Sequence, residues 1–158
     1  MTAREFSYVY GPVPSRRLGK SLGVDLVPYK ICSYDCVYCQ LGRTTEKTVD
    51  RREHVPVAAV LAEVKRKLAV GPAPDYISLA GSGEPTLHGG IGDIISGIKG
   101  MTSLPVAVIT NGSLLWREDV RKDLREADVV LPSLDAGDER MFRLINRPHP
   151  ALRFDAMV

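Results

Sequence analysis

Apolar positions along the chain fall into short runs separated by stripes at helical spacing. Residues 22–27 (LGVDLV) read as a first strand, closed by Pro28. Val57, Val60, Leu61, Val64 and Leu68 share one helical face and predict a helix over 57–68, stopped by Gly71, Pro72 and Pro74. Residues 76–80 (YISLA) predict a second strand, followed by a glycine-rich turn at 81–83 and a glycine-weakened helix over 91–98. A third strand at 106–110 (VAVIT) is closed by Asn111 and Gly112. A charged helix over 117–127, a fourth strand at 129–134 and a fourth helix at 138–145, ended by Pro148 and Pro150, complete the pattern.

Strands that are nearly continuously apolar and alternate with helices imply parallel pairing with helices covering the sheet, so the fold class is α/β. Right-handed crossovers leave two solutions, an open doubly wound sheet or a barrel. Four strand–helix repeats make half of an eightfold barrel, and no capping element follows Pro150. The expectation is one domain over 1–158, a partial barrel or the N-terminal part of a longer one. One stretch breaks the alternation: residues 29–53 form a long polar loop, and such loops are usually functional.

Composition narrows the classes. The chain has 158 residues, 44% hydrophobic and 25% charged, which is ordinary for a globular domain and excludes disordered or fibrous classes. Lysine plus arginine exceeds aspartate plus glutamate by only +2, so bulk charge gives no argument for a nucleic-acid or membrane surface. No run of signal-peptide or bilayer length is present, and a cytoplasmic location is expected. The three cysteines all fall between Cys32 and Cys39, an odd and clustered set unlike a secreted disulfide framework.

Cys32, Cys36 and Cys39 form CxxxCxxC in ICSYDCVYCQ. Three thiolates within eight residues can wrap one small metal centre; a cubane iron–sulfur cluster held by three cysteines keeps one iron open for chemistry. Other readings stand beside it. Spacing i, i+4, i+7 also suits one buried helical face. A zinc site needs a fourth ligand from His54, His88 or His149, none at finger-like spacing. A Cys36–Cys39 redox pair leaves Cys32 unexplained.

The cysteine pattern, with Tyr38 just before its third member, resembles the signature of the radical S-adenosylmethionine superfamily. The whole stretch GPVPSRRLGKSLGVDLVPYKICSYDCVYCQLGRTT is similar to the N-terminus of its iron–sulfur oxidoreductase-like members of unassigned substrate. The resemblance implies a partial TIM-like (β/α) barrel of the radical SAM type. It implies that Cys32, Cys36 and Cys39 ligate three irons of a 4Fe–4S cluster and that S-adenosylmethionine chelates the fourth. Reductive cleavage would then yield a 5′-deoxyadenosyl radical that abstracts hydrogen from a substrate. No residue is assigned to that abstraction, and the implied partners are the substrate and a reductant such as flavodoxin or ferredoxin. Related branches modify transfer RNA, so a nucleic-acid substrate stays open although net charge does not support it.

Further motifs fall in order. GSGEPT directly follows the second strand and resembles the superfamily's Gly-Gly-Glu-Pro motif, with Ser82 in place of the first glycine and Gly83, Glu84 and Pro85 matching. By resemblance it holds the methionyl amine, and Tyr38 lies against the adenine. Without the cysteines the same residues read as a tight turn with Pro85 near a helix start. By the same resemblance Ser133 and Asp135, at the end of the fourth strand, correspond to ribose or carboxylate contacts, and Asn111 lies nearby; Asn111-Gly112 also reads as a left-handed turn and Asp135 as a helix cap. A dinucleotide fingerprint fails at Thr86, and a Walker A reading of Gly19-Lys20-Ser21 fails because Pro14 stands where its first glycine belongs. Arg16, Arg17 and Lys20 read as a solvated or substrate-facing patch, His88 as a weak candidate, and Arg51 and Arg52 as solvated. The alternative from another class is a non-catalytic iron–sulfur or zinc-binding module.

Overall fold

The computed structural model describes residues 5–158. Strands β1 (Val9–Ser15) and β2 (Gly19–Val24) form an antiparallel hairpin. Two-residue strands β3 (Ile31–Cys32) and β4 (Glu46–Lys47) pair within the long loop, and helix α1 (Val57–Val70) follows. Then come β5 (Tyr76–Leu79), α2 (Ile91–Met101), β6 (Val106–Thr110), α3 (Glu118–Asp123), β7 (Val129–Pro132) and α4 (Glu139–Asn146).

The main sheet has the order β1-β2-β5-β6-β7, parallel from β2 onward. Each new parallel strand is added on the same side of the last. With right-handed crossovers, that order puts α1, α2 and α3 on one face of the sheet. A doubly wound sheet would reverse its order at a switch point, and this one does not. The sequence left the two topologies open; the strand order decides for the barrel type, as an open five-stranded arc.

Register explains the core. Leu22, Ile77 and Val106 lie side by side, as do Val24, Leu79 and Val108, and all six are buried. They meet Val60 and Val64 of α1 and Ile94, Ile95 and Ile98 of α2. Burying each such side chain contributes roughly 1.5–3 kcal/mol of transfer free energy. Because strand side chains alternate, the opposite face carries Ser21, Gly23, Ser78, Ala107 and Ile109. Here the Tyr10 ring packs flat on Gly23, where an added Cβ would sit 2.0 Å from it.

Several expectations change. The N-terminal strand β1 was not foreseen, because its prolines and absent alternation hide it; as an edge strand it tolerates Pro12 and Pro14. The helix expected over 117–127 spans only Glu118–Asp123, and the strand expected to reach 134 ends at Pro132. Arg16 and Arg17 lie exposed in the hairpin turn, at the end of β2 opposite the strand ends that carry the cysteine loop, in keeping with the solvated reading. Arg51 is not solvated: its side chain is 9% exposed, bonded to Asp119 and Asp123 at 2.9 and 2.5 Å and to the Thr86 and His88 carbonyls. It ties the end of the long loop to α3. Among the described residues no helix is long and apolar enough to cross a membrane.

Candidate functional site

The loops after β2, β5, β6 and β7 gather at the C-terminal end of the parallel strands, where barrel proteins place their sites. The cysteine loop is not helical, which removes the one-face helix reading: Cys32 lies in β3 and the other two follow in turns. Its shape is fixed by hydrogen bonds to both flanks. Thr44 donates its amide to the Asp35 carboxylate at 2.8 Å and its hydroxyl to the Tyr34 carbonyl at 2.6 Å. The Asp35 and Val37 amides donate to the carbonyls of Asn146 and Ile145, both at 2.9 Å. Those carbonyls belong to the last turn of α4, which has no helical partners for them. The helix end and the cysteine loop satisfy each other.

Each thiol receives one side-chain N–H from a different part of the chain. Asn111 donates to Cys32 Sγ at 3.5 Å, Asn146 to Cys36 Sγ at 3.4 Å and Lys30 to Cys39 Sγ at 3.0 Å. Burial and the nearby Glu84 carboxylate push the Cys32 thiol up to about 11. Burial also raises Cys36. At Cys39 burial acts upward too, but the Lys30 hydrogen bond, a backbone hydrogen bond from Leu41 and the Lys30 charge outweigh it and leave the thiol below its ordinary value. Among the described residues no three His, Cys, Asp or Glu side chains converge closely enough to hold a single metal ion.

Gly83 packs against the cysteine loop; a Cβ there would lie 1.9 Å from the Ile31 carbonyl oxygen. The Glu84 amide donates to that same carbonyl at 3.1 Å. The Glu84 side chain is buried and turned inward. One oxygen accepts from the Thr86 amide (3.1 Å), the Thr86 hydroxyl (2.6 Å) and the Thr110 hydroxyl (2.5 Å). The other accepts from the Asn111 amide at 2.7 Å. Burial raises its pKa despite these donors. Glu84 thus braces the loops after β5 and β6 against β3, and Pro85 opens a short 3₁₀ turn, as the turn reading expected.

Asn111 takes the turn that its sequence reading expected. It precedes Gly112 in the left-handed region (φ 79°), and its side chain bonds Ser33 Oγ at 2.9 Å besides Cys32. Tyr38 is 56% exposed and donates its hydroxyl to Asp135. Asp135 also accepts from Asn146 Nδ2 at 2.8 Å, so Tyr38, Asp135, Asn146 and Cys36 form one network. Asp135 does not cap α4; Asp138 does, accepting the Met141 amide at 2.8 Å. Ser133 is exposed beyond β7, its amide bonded to the Thr110 carbonyl at 3.0 Å. His88 is fully buried, with both ring nitrogens bonded to the backbone of Val55 and Gly90, and is a core residue.

Lys30 and Asn146 were not among the residues expected. Asn146 is 110 positions from Cys36, so only the fold brings them together. Lys30, two residues before Cys32, was open to notice but reads as an ordinary loop lysine. A cleft of about 680 Å³ adjoins the site, lined in part by Tyr10, Asp25, Leu41, Gly81 and Ser82. That is within the roughly 300–1,000 Å³ of small-molecule sites.

A family model, the Radical SAM superfamily, matches residues 26–157. A protein of Brachyspira hyodysenteriae carrying the name GTPase Obg is 47% identical over 150 residues, covering 95% of this chain and 22% of that protein. The UPF0026 protein of Methanocaldococcus jannaschii is 44% identical over 151 residues, 94% of this chain and 47% of its own. The UPF0026 protein of Synechocystis is 40% identical over 157 residues, 97% of this chain and 57% of its own. The chain therefore spans roughly half or less of the length of most such relatives.

Proposed function

The chain belongs to the radical SAM superfamily, and from that premise we propose that Cys32, Cys36 and Cys39 hold a 4Fe–4S cluster. The observation that carries the reading is the set of three thiols at the C-terminal end of the sheet, each met by a side-chain N–H donor. Thiolates are the ligands such clusters take, and hydrogen bonds to their sulfurs are one of the protein's means of tuning them. Cys32, Cys36 and Cys39 would hold the cluster, which would supply one-electron reductive chemistry toward a bound S-adenosylmethionine.

The chain's own residues position these groups. Glu84 and Gly83 set the loop after β5 against Cys32, and the carbonyls of Gly81 and Gly83 are offered to the methionyl amine, that of Ser82 being held by the Lys30 amide. Tyr38, held by Asp135, stands at the surface beside Cys36 and Cys39, where it can cover the adenine. Ser133, Asp135 and Asn111 offer polar contacts at the ends of β7 and β6. Tyr29, Val37, Leu41 and Leu134 are exposed apolar side chains of the loops at this end of the sheet, available to exclude water once a ligand or partner lies over them. The substrate is not assigned, and the oxidoreductase or lyase type, a flavodoxin- or ferredoxin-like reductant and a cytoplasmic location belong to this proposal. The GTPase name of one relative does not transfer, because Gly19-Lys20-Ser21 lacks its upstream glycine and opens a hairpin strand.

The test is anaerobic reconstitution with iron and sulfide, reduction, and electron paramagnetic resonance with and without S-adenosylmethionine. A 4Fe–4S signal that shifts on addition, and that is lost in Cys36→Ala, supports the reading. Stoichiometric zinc with no cluster overturns it in favour of the metal-binding module.

A further inference from the structure

Lys30 is 3% exposed, and a lysine is almost never fully buried unless its charge is paired. Among the described residues no carboxylate lies within ion-pairing distance of it. Its ammonium has one hydrogen-bond partner, Cys39 Sγ at 3.0 Å. An unpaired buried cation is costly, so the ammonium is aimed at the one sulfur it touches, and that sulfur belongs to the site.

The backbone holds this side chain deliberately. Lys30 sits in the left-handed region (φ 59°), which long side chains seldom occupy. Its amide donates to the Ser82 carbonyl at 2.7 Å, and its carbonyl accepts the Thr45 amide at 3.0 Å and the Thr45 hydroxyl at 3.1 Å. The loop after β5 and the chain beyond the cysteines therefore clamp Lys30 from both sides. The other two sulfurs receive neutral amides from Asn111 and Asn146, so among the described residues the one positive charge in direct contact with a sulfur is at Cys39.

We infer that Lys30 is a positioning residue of the cysteine site: it fixes Cys39 and supplies a buried positive charge that makes a bound cluster easier to reduce. This rests on the cluster reading above. A positive charge beside the cluster stabilises the reduced state, which carries one more negative charge.

The test compares the full chain with Lys30→Met, close in length but neutral, and Lys30→Arg, which keeps the charge. After reconstitution, reduction is followed by electron paramagnetic resonance across a range of set potentials. Lys30→Met is expected to show an oxidised-to-reduced ratio about tenfold higher than the parent at a given potential, equivalent to about 59 mV for one electron. Lys30→Arg is expected to stay near the parent. Equal potentials and equal iron content in parent and Lys30→Met overturn the inference.

If the parent assembles no cluster, the cluster reading fails; if it assembles one and Lys30→Met keeps the parental potential while Lys30→Arg does too, the inference alone fails.

Discussion

Replacing Glu84 with glutamine tests whether its carboxylate is the brace described. Both oxygens accept a backbone N–H, one from Thr86 at 3.1 Å and the other from Asn111 at 2.7 Å. A backbone N–H cannot reverse its role. Either orientation of the glutamine amide therefore sets an NH₂ against a buried donor and leaves that donor unsatisfied. Such a loss costs about 1–3 kcal/mol, and somewhat more where the acceptor was charged. Removing a buried charge returns part of this, so we expect Glu84→Gln to be destabilised by about 2 kcal/mol. For a chain of this size that lowers the melting temperature by about 4–8 °C in a thermal scan of the metal-free protein. Because burial raises the Glu84 pKa, its stability contribution is fullest below the ordinary carboxylate value and is lost as pH rises through the raised one. The gap between parent and variant should therefore widen on acidification from neutrality. A variant melting within about 1 °C of the parent, with no such widening, would refute the brace.

Gly83→Ala forces a Cβ to within 1.9 Å of the Ile31 carbonyl, so the two loops must separate. We expect about 1–3 kcal/mol of destabilisation in urea unfolding and reduced iron uptake on reconstitution; a parental midpoint would show that the contact relaxes freely. Arg51→Met removes a 9%-exposed guanidinium bonded to Asp119, Asp123 and two carbonyls. It should cost about 2 kcal/mol in the same assay, between an exposed and a fully buried pair. The hydrogen bond from Arg117, with Arg51 beside it, holds Asp119 down at about 2. The stability Asp119 contributes is present above the ordinary carboxylate value and is lost as pH falls toward about 2. In acid unfolding followed by circular dichroism, Asp119→Asn should show a shallower decline than the parent below pH about 4, and parallel curves would refute the pairing.

Much of this protein was legible in its sequence, for reasons that are local. The apolar runs at 76–80 and 106–110 and the stripe from Val57 to Leu68 are set by side-chain periodicity, which needs no tertiary information. The same holds for CxxxCxxC and GSGEPT, whose chemistry depends on residue type at short spacing. Strand β1 was hidden because an edge strand is defined by its partner β2, and its own prolines argue against it. The choice between barrel-type and doubly wound sheets lies in strand order, a relation among segments far apart in the chain. The assignment of Glu84 to the site was made from its motif; the structure shows the carboxylate facing Thr110 and Asn111, and only packing could reveal that direction. Asn146 shows the limit most clearly. Nothing about an asparagine at a helix end points to a cysteine 110 residues earlier until the helix docks on that loop and their hydrogen-bonding groups meet. Composition and spacing determined which chemistry the chain can hold; the long-range hydrogen bonds, which exist only once the chain is folded, decided which side chains surround the three sulfurs and with what charge.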